Sequence, residues 1–273
     1  TQNTGGGTGH SKYTVNAASI NLRDNNKMSG LTGNGTDTAQ DMQIYGQSGL
    51  LVNDFCFTRT SKGERKSLDF SQGFSNVHIK NGIIENAGVA FSIGRLTSAG
   101  AETPVMENLF IENVHVKNTF AGPNQNASIV DFQFTTPTIA ATTITNFNLK
   151  DIKVSVDAAN RTASALTKSA YQFIWVNGIR MNRCEGFCTT KAPFLTESCL
   201  DVHVHDCAFE GVYSSNIENL IIALSAETLF QANTFDFVIN YDLVSAGTIK
   251  SRAKIHFKKL EDSGMVDCMD YWD

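Results

Sequence analysis

The sequence predicts an all-β chain, a right-handed single-stranded parallel β-helix (a solenoid of strands), on three observations. A six-residue motif, Asn-apolar-X-apolar-X-Asn/Asp, recurs at residues 76–81, 108–113 and 146–151, with weaker copies at 178–183 and 201–206. Its first positions stand 32, 38, 32 and 23 residues apart, so a fixed strand unit is joined by connections of variable length. A second alternating run follows each closing residue directly. An Asn or Asp between two strands turns a corner from the left-handed conformation and needs no hairpin.

In chain order, residues 1–12 are a Gly-rich polar lead, read as a loose strap; they lack the Lys-Ser/Thr of a phosphate loop. Early coils follow, with strands expected around residues 19–22, 42–45 and 54–57. The repeat proper occupies about residues 74–257. There Val77, Leu109, Phe147, Ile179 and Val202 take equivalent inward places, and Asn81, Asn113, Asp151 and Asp206 close the motif in a ladder of side-chain hydrogen bonds. Cys184 and Cys207 follow that corner in successive copies and are expected to be neighbours. Longer connections at 95–106, 120–127, 135–143 and 157–168 are expected to emerge on one side and wall a groove. The acidic, aromatic end should cap the last strands. The domain reading is a lead and first coil over 1–40, the β-helix over 41–257 and a cap or tail over 258–273.

Composition agrees with one elongated domain. Apolar residues are 41% of 273 and Pro only 4, yet no stretch carries helical apolar periodicity with caps. A sandwich would place Asn-Gly turns at short regular spacing, whereas Asn81-Gly82 lies inside a repeat whose other copies lack the glycine. The net charge of −5 without a basic tract argues against nucleic acid. No apolar run is long enough for membrane insertion, and no signal peptide is read, so targeting is left open. The six cysteines are scattered and read as buried thiols, which favours synthesis in a reducing compartment. His203 and His205 share a strand face but lack a third ligand, so neither metal nor cofactor is expected.

The repeated motif, with second strands directly after each corner, resembles the pectin-lyase-like superfamily of parallel β-helices over roughly residues 41–257. Within it, the unpaired cysteines, the abundant Asn, Thr and Ser and the outward apolar positions look most like a bacteriophage tailspike. That resemblance implies a homotrimer, made in the bacterial cytoplasm and carried on the virion tail, which binds and hydrolyses a bacterial surface polysaccharide. Two alternatives stay open: a non-catalytic receptor-binding module of the same shape, and a secreted monomeric polysaccharide lyase or hydrolase. The outward row His78, Phe110, Asn148, Arg180, His203 and Ile221 mixes aromatic and apolar groups, as a subunit contact would. Lys80, Glu112 and Lys150 form a second row of alternating charge.

Glycoside hydrolysis calls for two carboxylates, one protonating the leaving group and one attacking or activating water. Asp131 is the leading candidate, alternating outward from a buried strand between two long connections. Equivalent strands put Ser92, Gln133 and Gln172 in its patch, with Arg95 near and Trp175 as a platform for a sugar ring. Glu197, Glu185 and Glu210 are its candidate partners. The plainer alternative for Asp131 is a loop-capping residue paired with Arg95, and for Trp175 a core or interface position. No Gly-X-Ser-X-Gly elbow is present, so a serine esterase is not expected.

Overall fold

The computed structural model describes residues 13–16, 26–35, 42–59, 66–93, 106–118, 128–133, 144–156, 169–188, 194–197, 199–213, 223–224, 233–245, 248–259 and 266–272. The strands are β1 (Tyr13–Asn16), β2 (Asn26–Gly35), β3 (Met42–Ser48), β4 (Leu50–Arg59), β5 (Lys66–Glu85), β6 (Val89–Ile93), β7 (Met106–Asn118), β8 (Ser128–Gln133) and β9 (Ile144–Val156). They continue as β10 (Tyr171–Ile174), β11 (Val176–Cys188), β12 (Phe194–Glu197), β13 (Leu200–Tyr213), β14 (Ala223–Leu224), β15 (Thr234–Ser245), β16 (Thr248–Lys259) and β17 (Val266–Trp272). The described residues are all-β, without helix, and their pairing is mostly parallel. The strands expected at residues 42–45 and 54–57 lie in β3 and β4; residues 19–22 lie outside the described residues.

Short and long strands alternate, and each pairs with its counterpart in the next repeat. The short series runs from the start of β5 through β6, β8, β10 and β12 to β14. The long series runs β2, β4, β5, β7, β9, β11, β13, β15. Each repeat therefore has a first stretch in the short series and, in the long one, a middle and a third stretch separated by the motif's closing residue.

Left-handed residues make these bends. φ is +52°, +56° and +59° at the opening Asn76, Asn108 and Asn146, and +55°, +53° and +55° at the closing Asn81, Asn113 and Asp151. Asp201 and Asp206 repeat the pattern. In the weaker copy Gly178 serves at +72° and Arg183 at +50°, although arginine has no local side-chain bond to favour that conformation. The expected ladder is present in part: Asn113 donates to Asn81 Oδ1, and Asn81 donates to Oδ1 of Asn53, the residue before the left-handed Asp54, both at 2.8 Å. A carboxylate cannot donate, and at Asp151 the ladder changes chemistry, with Arg183 supplying two bonds of 2.6 and 2.9 Å. A second ladder, not foreseen, joins the opening Asn76, Asn108 and Asn146 at 3.0 and 2.6 Å.

The inward columns meet in one core. Val77, Leu109, Phe147, Ile179 and Val202 are fully buried, as expected. Rings from different stretches touch there: Phe147 and Phe173 at 5.6 Å between centroids, Tyr171 and Phe209 at 5.7 Å, Phe194 and Phe209 at 6.1 Å. The buried Tyr171 hydroxyl donates to the Glu185 carbonyl at 2.6 Å, so no polar group is stranded there. Cys184 and Cys207 are neighbours in this core, the Cys184 N–H donating to Cys207 Sγ at 3.4 Å, and both are free thiols. Burial pushes the Cys199 thiol up to about 11.

Parallel pairing is present ahead of residue 41, in β1 with β3 and β2 with β4. It ends with β15. From Thr248, ahead of residue 258, β16 and then β17 pair antiparallel.

Candidate functional site

Register carries Asp131 to the centre of the first stretch. It stands between Ser92 of β6 and Gln172 of β10, while Gln133 stands opposite Ile174, which in turn faces Glu197 of β12. Asp131 and Glu197 thus lie on one parallel stretch, two strands apart and two residues along. With strands about 4.8 Å apart and a rise of about 3.3 Å per residue, their Cα atoms are roughly 12 Å apart. Trp175 adjoins them at a corner: its φ is +60°, its N–H donates to the Glu197 carbonyl at 3.0 Å, and its side chain is 40% exposed. Arg95 lies outside the described residues.

Two expectations change here. Ser92 is 1% exposed and donates to the Asp69 carboxylate at 2.7 Å, so its hydroxyl is committed inside the protein and is not offered to a substrate. Glu185 and Glu210 leave Asp131's patch, because both follow a corner residue, Arg183 or Asp206, and so belong to the third stretch. There they share a recess of about 140 Å³ with Val154, Phe187 and Asn240, and the Glu185 carboxylate accepts the Val154 N–H at 2.9 Å.

The middle stretch carries a depression of about 340 Å³ lined by Phe110, Glu112, Asn148, Lys150, Arg180, Asn182, His203 and His205, above Ile111, Leu149 and Met181. The alternating columns of β7, β9, β11 and β13 point these polar ends outward while the intervening residues enter the core. Phe110 stacks on His78 at 4.5 Å, with 20° between the ring planes. Lys150 and Glu112 pair at 2.8 Å, as the alternating row predicts. At the far end Arg180 forks onto both carboxylate oxygens of Asp201 at 2.8 Å. Partial burial works the other way, yet bonds from Arg180 and His203 hold the Asp201 carboxyl below its usual range. His203 bonds Asp201 through Nε2 at 2.9 Å and Thr234 through Nδ1 at 2.5 Å, and His205 Nε2 meets the same Thr234 hydroxyl at 3.1 Å.

The outward row differs from expectation at one end. Thr234, not Ile221, stands next to His203, because the long series resumes at β15. The large hydrophobics exposed among the described residues, Trp175 and Leu200, lie outside this row. The sequence identified the row from His78 to His203; the sign that part of it also lines a recess is the short Asn148 between Phe110 and Arg180. Among the described residues no group of three or more His, Cys, Asp or Glu is placed to hold a metal. Comparison with protein-family models, with curated proteins and with solved structures gave no match.

Proposed function

We propose that the strands wind as a single parallel β-helix and that the protein is a tailspike-type virion component, homotrimeric, which binds a bacterial surface polysaccharide and hydrolyses it. The observation that carries this reading is the placement of Asp131 and Glu197 on one parallel stretch beside the exposed Trp175. Cα atoms roughly 12 Å apart are compatible with the roughly 6.5–9.5 Å between carboxyl groups that inverting hydrolysis uses, with a water between them. The indole beside Glu197 supplies an apolar face for a pyranose ring.

The test is reducing-end release from a panel of capsules and lipopolysaccharides. Removing either carboxylate as Asp131→Asn or Glu197→Gln should slow release about 10²–10⁴-fold with binding retained. Release unaffected by both and lost in Glu185→Gln or Glu210→Gln would move the chemistry to the third stretch. A second reading, a non-catalytic receptor-binding module, is favoured by the middle groove. Its stacked ring and ring of hydrogen-bonding ends suit a sugar, and among the described residues its only lining carboxylate, Glu112, is neutralised by Lys150. Binding without release by the native protein would select that reading.

A further inference from the structure

Hydrogen-bond accounting at the end of the middle groove leaves few places for protons. Ionised Asp201 only accepts, so His203 carries a proton on Nε2. In the neutral ring Nδ1 is then an acceptor, and the Thr234 hydroxyl must donate to it. The Thr234 oxygen in turn accepts from His205, which fixes His205 as its Nε2–H form. The remaining nitrogen, His205 Nδ1, is an open acceptor on a ring that lines the groove.

This order is directional. From it we infer that the groove is a proton-transfer site for a hydroxyl-bearing ligand, in which His205 takes the proton and His203 holds the charge through Thr234. A proton leaving a saccharide hydroxyl or a bound water enters His205 Nδ1, and the O–H electron pair stays on the ligand oxygen as an alkoxide or hydroxide. The Nε2 proton of His205 passes to the Thr234 oxygen, and the Thr234 proton passes to His203 Nδ1. One proton has entered, both hydrogen bonds to Thr234 are kept with their polarity reversed, and His203 Nε2–H still donates to Asp201. The positive charge rests on His203, whose ring centroid is 6.4 Å from that of His205, against the Asp201 carboxylate.

The charges around the two rings favour that destination. β11 offers Arg180, whose charge is engaged by Asp201, and β9 offers Lys150, paired with Glu112 of β7. β13 itself contributes Asp201 and Asp206. From β15, Asp236 stands in register with His205, but it is already held by His256 of β16 at 2.7 Å and lies 3.9 Å from Lys258. Both carboxylates are already engaged, Asp201 by Arg180 and Asp236 by His256, but Asp201 Oδ1 also bonds His203 Nε2 directly, which is the contact that would hold a charge on that ring.

The inference uses the middle groove and not the Asp131–Glu197 stretch on which the proposed function rests, and its test uses no glycan, so failure to bind or cleave polysaccharide does not decide it. Long-range proton–nitrogen NMR on the ¹⁵N-labelled protein between pH 8.5 and 5 reads the protonation of each ring nitrogen. Histidine is the side chain that ordinarily titrates in this window. On acidification His203 should become doubly protonated, while His205 stays neutral and its proton moves from Nε2 to Nδ1 with the same midpoint. Thr234→Val should uncouple the rings and Thr234→Ser should restore the coupling. A His205 that keeps its Nε2 proton while His203 titrates, a His205 that charges first, or coupling that survives in Thr234→Val would each overturn the inference.

Discussion

Gly82 is the inward residue that follows the closing Asn81, a place filled by Val114 and Ile152 in the next two repeats. Its neighbour in β4, Phe55, explains the difference: a Cβ at Gly82 would lie 2.0 Å from the Phe55 ring. A large residue and an absent one share one volume. Gly82→Ala should therefore destabilise by roughly 1–3 kcal/mol, and Phe55→Val should relieve most of that, read as the coupling in a double-mutant cycle of urea midpoints. The left-handed corner at Asn113 separates conformation from bonding. Asn113→Gly keeps the φ and loses the 2.8 Å ladder bond, whereas Asn113→Ala loses both; the alanine variant should be the less stable by about 1 kcal/mol in the same assay. Thiol reactivity should follow burial: half-exposed Cys56 should be alkylated in the native protein ahead of Cys184, Cys199 and Cys207, as peptide mass spectrometry would show.

At the scale of the element, the late strands are joined by aromatic contacts between stretches. Phe194 touches Phe173, Phe209, Phe235 and Phe237, at 6.0–6.5 Å between centroids. Phe194→Ala should cost about 3–5 kcal/mol, measured by denaturant unfolding, because four rings lose a neighbour and the strands around it cannot close the gap. The motif copies were legible because alternation and corner chemistry are local: Asn81, Asn113 and Asp151 sit where the spacing puts them. The patch around Asp131 was legible in part, since equivalent short strands could be aligned by their apolar residues. Glu185 and Glu210 were misplaced for a local reason also. A corner residue two or four places before them sends them to another stretch, and arginine at 183 does not look like a corner. The hydrogen bonds of His203, Thr234 and His205 were not legible, because Thr234 is 31 residues from its partner His203 and only the register at β15 joins them.

For the whole molecule, exposed ion pairs at the corners tie stability to acid. The hydrogen bond from Arg183 holds the Asp151 carboxyl below its usual range, as Arg180 and His203 hold Asp201. A carboxylate depressed in the folded state contributes stability that is complete above its unfolded value near 4 and is lost as the pH falls through its lower folded value. The midpoint of thermal unfolding should therefore fall on acidification below about pH 4. Asp151→Asn and Asp201→Asn should be less stable than native at pH 6 and lose less between pH 4 and 2.5.

The reversal after β15 has a consequence for size. A parallel strand stack has no natural length, since every unit offers the next an edge identical to the one it used. Here β16 takes that edge with the opposite direction, and its Phe257 sits against Phe235 and Phe237 at 5.8 and 5.2 Å. The number of repeats is thus set by one change of strand direction between Ser245 and Thr248, and not by anything in the repeats themselves. The reversal works as a ruler's end-stop, and a chain cut before it would carry an edge still able to recruit a further copy.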